Sequence, residues 1–202
     1  MEETPLEGKS PVVTGLTTPY PDFISVCRPH PHILVTGPPR SGTHFLAFLL
    51  AERLGRQPYI EETQVSRHAG HTVGALAAWT KTPCVIQEPG MTHICHQLGN
   101  LWFVVFLRRA VADVLDSQRR GKHRTSWARA QYQAGWPQYL EEGVSIPEVM
   151  YRVWEQEQRP RFTAWVEVSY ESLSADPLWV PREERPLSGL GVVAQQVRPP
   201  GS

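Results

Sequence analysis

The chain is poor in cysteine, in lysine and in long apolar runs, and each shortage removes a class of protein. Its three cysteines, Cys27, Cys84 and Cys95, are odd in number and lack C-x-x-C spacing, which argues against a disulfide framework. Reduced thiols suit the cytosol, so the expected location is cytoplasmic. The histidine pairs His30/His32, His68/His71 and His93/His96 also lack the ligand spacing of a zinc site, and no metal is expected. No run of 18 apolar residues is present to span a bilayer, and the first residues lack the charged-then-apolar order of a signal peptide. Only Lys9, Lys81 and Lys122 are lysines, leaving 17 arginines among 20 basic residues. Arginine is the side chain whose planar fork grips phosphate or sulfate bidentately, although a genomic bias gives the same composition. With 20 acidic residues in balance the formal net charge is zero, so neither nucleic acid nor an anionic membrane surface is an expected partner.

What is present suffices for one core. A chain of 202 residues with 41% hydrophobic content has room for one substantial domain and not for two. Residues 1–31 carry Pro5, Pro11, Pro19, Pro21, Pro29 and Pro31 and predict a partly extended lead-in laid over the core. Residues 32–178 hold the periodic segments, and 179–202 predict an irregular tail.

The domain is organised around residues 32–50. Ile33, Leu34 and Val35 form a continuous apolar run, as in a strand buried on both faces, while Phe45, Leu46, Leu49 and Leu50 recur at helical spacing. The turn between them contains Gly37 and Gly42, and the amides from Arg40 to His44 open a helix where an anion is the natural occupant. The spacing of the two glycines is that of the nucleotide-triphosphate loop G-x-x-x-x-G-K-[ST], but Thr43 stands in place of its lysine and His44 in place of its magnesium-holding hydroxyl. Arg40 supplies a cation inside the loop instead, which suits an anionic ligand that needs no metal. A ligand-free strand-to-helix turn is the plain alternative.

The segment Pro39-Arg40-Ser41-Gly42-Thr43 resembles the 5'-phosphosulfate loop of the sulfotransferases that use 3'-phosphoadenosine 5'-phosphosulfate (PAPS). A second signature of that family, an apolar strand ending in Arg with Asp four and Ser eight residues on, is similar to Val104–Leu107 followed by Arg109, Asp113 and Ser117. Tyr170-Glu171-Ser172-Leu173 with Asp176-Pro177 resembles its late Y-E-x-L segment. The resemblance spans roughly residues 32–177 and implies that Pro39, Arg40, Ser41, Gly42, Thr43 and His44 cradle the 5' end of the cofactor. It implies further that Arg109 and Ser117 hold the 3'-phosphate and that Tyr170 lies near the adenine. Glu61-Glu62-Thr63 is similar to the E-E-T of the tyrosylprotein branch, which makes Glu62 the implied base; a solvated acidic turn is the alternative. The family's Lys near the third strand end is replaced by Gln87; the family's closing loop is not matched, and the resemblance leaves 179–202 as a shortened lid in which Arg185 or Arg198 would complete the phosphate cradle.

The rest of the pattern predicts short strands at Tyr59-Ile60, Pro83–Gln87 and Thr163–Val168, a central strand over Leu101–Leu107, and helices over Thr72–Trp79 and Ala110–Arg120. Trp127, Tyr132, Trp136, Tyr139, Tyr151 and Trp154 lie near i, i+4 spacing, which predicts packing onto the core with some rings facing an acceptor pocket. The expected fold is α/β: an open, mainly parallel sheet of about five strands flanked by helices, of the P-loop nucleotide-binding type. The expected activity is metal-independent sulfuryl transfer from PAPS to a hydroxyl or amine of a small-molecule or peptide acceptor, releasing 3',5'-adenosine bisphosphate. Glu62 would be the base and Arg40 the stabilising cation, with Glu88 and His93 as reserve bases. His93 reads equally as a helix-surface residue. The rivals are a nucleotide-binding protein without turnover and a P-loop small-molecule kinase.

Overall fold

The computed structural model describes residues 17–60, 82–120, 133 and 137–179. Six strands, β1 (Thr17–Thr18), β2 (His32–Thr36), β3 (Gln57–Ile60), β4 (Cys84–Gln87), β5 (Trp102–Arg108) and β6 (Trp165–Ser169), form one sheet in the order β1-β6-β5-β2-β4-β3. Every pairing is parallel, so all the strand ends that carry function lie along one edge. β2 and β5 are central, with Val35 opposite Gln87 on one side and Thr36 opposite Phe106 on the other.

Parallel strands need helices on both faces, and alternate side chains explain the two halves of the core. Ile33, Val35, Phe103, Val105, Val166 and Val168 point to one face, where helices α1 (Asp22–Cys27) and α2 (Thr43–Leu54) cover them. Leu34, Ile86, Val104, Phe106 and Trp165 point to the other, where Met91, Ile94 and Trp154 close the layer. Trp154 is fully buried and its ring lies flat on Phe106, with centroids 4.6 Å apart. It begins a π-helical turn, Trp154–Gln158, which continues α4 (Ile146–Val153). Helix α3 (Val111–Arg120) follows β5 and buries Val114 and Gln118. No helix among the described residues is long and apolar enough to cross a membrane.

One element differs from the expectations above. Residues 17–31 are more than a partly extended lead-in laid over the core, because β1 pairs with β6 and α1 buries Phe23, Ile24 and Cys27. Glu167, on the same face of β6 as Trp165, is 6% exposed and its carboxylate accepts from Arg108, Arg159 and the Trp154 indole. Burial alone would raise its pKa, yet these donors hold it below the usual carboxylate range. Asp176 repeats the pattern, with Arg53 bonding both its oxygens at 2.9 to 3.1 Å. The three cysteines are free and buried, and burial pushes every thiol up, Cys84 to about 11, so they are core residues rather than nucleophiles. The helix expected over Thr72–Trp79 lies outside the described residues.

Candidate anion-binding site

The loop between β2 and α2 takes an unusual path. Gly37, Arg40 and Gly42 have φ of 140°, 74° and 110°. A Cβ on Gly37 would meet the Leu107 carbonyl oxygen at 2.7 Å, and one on Gly42 would meet the Tyr170 ring at 2.5 Å. Both glycines are therefore required twice, by conformation and by close approach to β5 and to residue 170. Arg40 has no such excuse, and a left-handed non-glycine residue costs about 1–2 kcal/mol. Contacts on both sides hold it. The Ser41 amide donates to the Pro38 carbonyl at 3.0 Å, Gln118 Nε2 donates to the Pro39 carbonyl at 2.9 Å, and Arg109 Nη1 reaches the Arg40 carbonyl at 3.4 Å. The Arg40 side chain is exposed. Of the amides expected to face a ligand, that of Ser41 is thus used within the turn. Those of Gly42 and Thr43 meet no backbone carbonyl among the described residues.

Four other elements converge on this loop. From the end of β4, Gln87 Nε2 donates to Thr43 Oγ1 at 3.0 Å, while its buried Oε1 has no partner among the described residues. After β5, Arg109 lays its guanidinium over the Tyr170 ring, 4.0 Å from the centroid, and its buried Nε has no partner among the described residues. After β6, the Tyr170 amide donates to the Arg108 carbonyl at 2.8 Å, which sets the ring against Gly42. Ser41 Oγ and Gln118 Oε1 are also buried without partners among the described residues. His44 is half-buried in the first turn of α2. Ser117 is half-buried on α3, and no hydrogen bond ties it to the loop; its neighbour Gln118 makes that contact. Glu62, Arg185 and Arg198 lie outside the described residues.

The site therefore joins segments 39–43, 109–118 and 170 at the carboxyl ends of β2, β5 and β6. Through α2 the chain leaves β2 toward β3 on one side of the sheet, and through α3 it leaves β5 toward β6 on the other. The boundary between β2 and β5 is the switch point, where open α/β sheets hold their ligands. Arg40 brings an exposed cation there and Arg109 a second, its Nη1 at the Arg40 carbonyl. The pair suits an anion.

The sequence singled out Arg109 and missed what makes it available. Of two consecutive arginines, Arg108 is engaged by Glu167 and Glu155, which leaves Arg109 facing the loop. Gln118 and Tyr151 were also missed, since a bond from a side chain to a distant backbone leaves no local pattern. Both reserve bases are buried. Glu88 is buried and its carboxylate accepts the Gly90 amide at 3.0 Å. His93 is 3% exposed rather than on a helix surface, and burial, aided by His96, pushes its pKa down to about 3.

That burial sets a pH dependence of stability. A histidine that titrates near 6.5 when unfolded and near 3 when folded is protonated first in the unfolded chain, so stability falls as pH drops from about 6.5. Glu167 and Asp176, both held low, add their loss only below about pH 4.5. The urea midpoint is expected to fall between pH 6.5 and 5 in the wild type and to fall less in His93→Gln, where His30, also held below its ordinary value by burial, still contributes. A wild-type midpoint constant over that range would show that His93 is protonated in the folded state.

Compared with known proteins, the chain matches no family model and no curated protein.

Proposed function

We propose that this chain is a sulfotransferase that binds PAPS at the carboxyl edge of β2 and β5 and transfers its sulfuryl group to a hydroxyl or amine acceptor. In this reading β2, the loop and α2 form a P-loop-type phosphate cradle without a magnesium ligand. The observation that carries it is the meeting of Arg40, Arg109 and Tyr170, 61 residues or more apart in sequence, through the Arg109–Arg40 hydrogen bond and the Arg109–Tyr170 stack.

The residues fit a ligand with two anionic ends. Ser41 and the Gly42 and Thr43 amides are donors for the 5' end, with Arg40 as counter-charge, and the Arg109 guanidinium, at the Arg40 carbonyl, is the cation for the 3'-phosphate. PAPS supplies the activated sulfuryl group: a bond forms from the acceptor oxygen or nitrogen to sulfur as the bond from sulfur to the 5'-phosphate oxygen breaks. Glu62 takes the acceptor's proton, and Arg40 with the loop amides offsets the charge gathering on the leaving phosphate. Gln87, anchored to Thr43, donates a neutral hydrogen bond where a lysine would carry charge.

Gln87 is also the observation that favours a second reading, a nucleotide-binding protein without turnover. Both readings share the same ligand, and a kinase does not. Calorimetric titration with magnesium and, separately, with a chelator is expected to show binding of 3',5'-adenosine bisphosphate in both and of ATP in neither at the same concentrations. Tight, magnesium-dependent ATP binding would replace both readings by a kinase.

A further inference from the structure

Arg109 stands between β5, which ends at Arg108, and α3, which begins at Val111. Neither the sheet nor the helix ladder pairs its backbone. One side chain does so instead: the Tyr151 hydroxyl accepts from the Arg109 amide at 3.0 Å and donates to the Arg109 carbonyl at 2.7 Å. The hydroxyl is itself held firmly. Tyr151 projects from α4, its ring edge meets Phe106 at 6.0 Å, and the Arg108 guanidinium covers its face at 5.2 Å. Burial raises the phenol's pKa, so it stays protonated and can serve as donor and acceptor together.

We infer that Tyr151 is the positioning residue of the 3'-phosphate subsite, which rests on the sulfotransferase reading above. Its hydroxyl fixes the Arg109 backbone, and the Tyr170 ring fixes the guanidinium, so that the cation is held beside the Arg40 carbonyl before binding. Removing the hydroxyl leaves the arginine in place and frees its backbone to rotate. The energy lost is the ordering of Arg109, felt only by a ligand that uses it. Tyr151 thus belongs with the nucleotide rather than with an acceptor pocket.

Tyr151→Phe in the full chain tests this. By calorimetry the variant is expected to bind 3',5'-adenosine bisphosphate about 3- to 10-fold more weakly, the range of one or two neutral hydrogen bonds, and to bind 5'-AMP as the wild type does. A merely structural tyrosine would lower the melting temperature and weaken both ligands alike, and that result overturns the inference, as does a variant with the wild-type ratio of affinities. Failure of the parent reading is separately visible: wild-type protein with no preference for 3',5'-adenosine bisphosphate over 5'-AMP has no 3'-phosphate subsite for Tyr151 to serve.

Discussion

Glu62→Gln is expected to lower sulfuryl transfer by about 10²–10⁴-fold, the usual worth of a positioned general base, with nucleotide affinity nearly unchanged. Glutamine keeps the shape and polarity of the side chain but cannot take the acceptor's proton. Two further variants make the comparison specific. Glu61→Gln alters the neighbouring carboxylate and is expected to retain turnover. Glu88→Gln alters a carboxylate that already accepts the Gly90 amide in the turn after β4, so its effect is expected on stability more than on rate. Initial rates for the three variants with one accepted substrate decide the matter. Near-wild-type turnover in Glu62→Gln moves the base elsewhere, and a loss confined to Glu88→Gln assigns it to the β4 end.

The legible parts of this fold are those whose physics is local. β2, β4 and β5 are buried on both faces, and such strands show as continuous apolar runs. Their parallel arrangement, all six strands in one sheet flanked by helices, is the α/β architecture that the alternation of runs predicts. β1 was not legible, since two threonines become a strand only by pairing with β6. Nor was α1, six residues long and flanked by Pro21 and Pro29, whose apolar face was overshadowed by the proline spacing. The burial of Glu167 was not legible either, since the two arginines and the indole that meet it are brought there by the fold.

At the site, the loop and Arg109 were found by residue type and interval, and their meeting depends on the order of strands. No sequence spacing states that β5 lies beside β2. Gln118 and Tyr151 were invisible for a related reason, because each bonds a backbone segment 79 or 42 residues away. Ser117 was named for its interval from Arg109, but the hydrogen bond to the loop belongs to the next residue, Gln118, which faces inward on α3.

Arg109 carries the central claim, that the site reads a nucleotide by its 3'-phosphate. Its removal takes away a charge-assisted contact worth roughly 1.5–3 kcal/mol, or about 10- to 150-fold in affinity. It also removes the 3.4 Å bond to the Arg40 carbonyl. That bond is long and exposed, and the Ser41 turn and Gln118 still hold the loop, so a ligand using only the 5' end loses little. The direct measurement is calorimetric titration of wild type and Arg109→Ala with 3',5'-adenosine bisphosphate and with 5'-AMP. The account predicts a loss in that range for the bisphosphate and near-equal binding of 5'-AMP by the two proteins; equal losses for both ligands would contradict it.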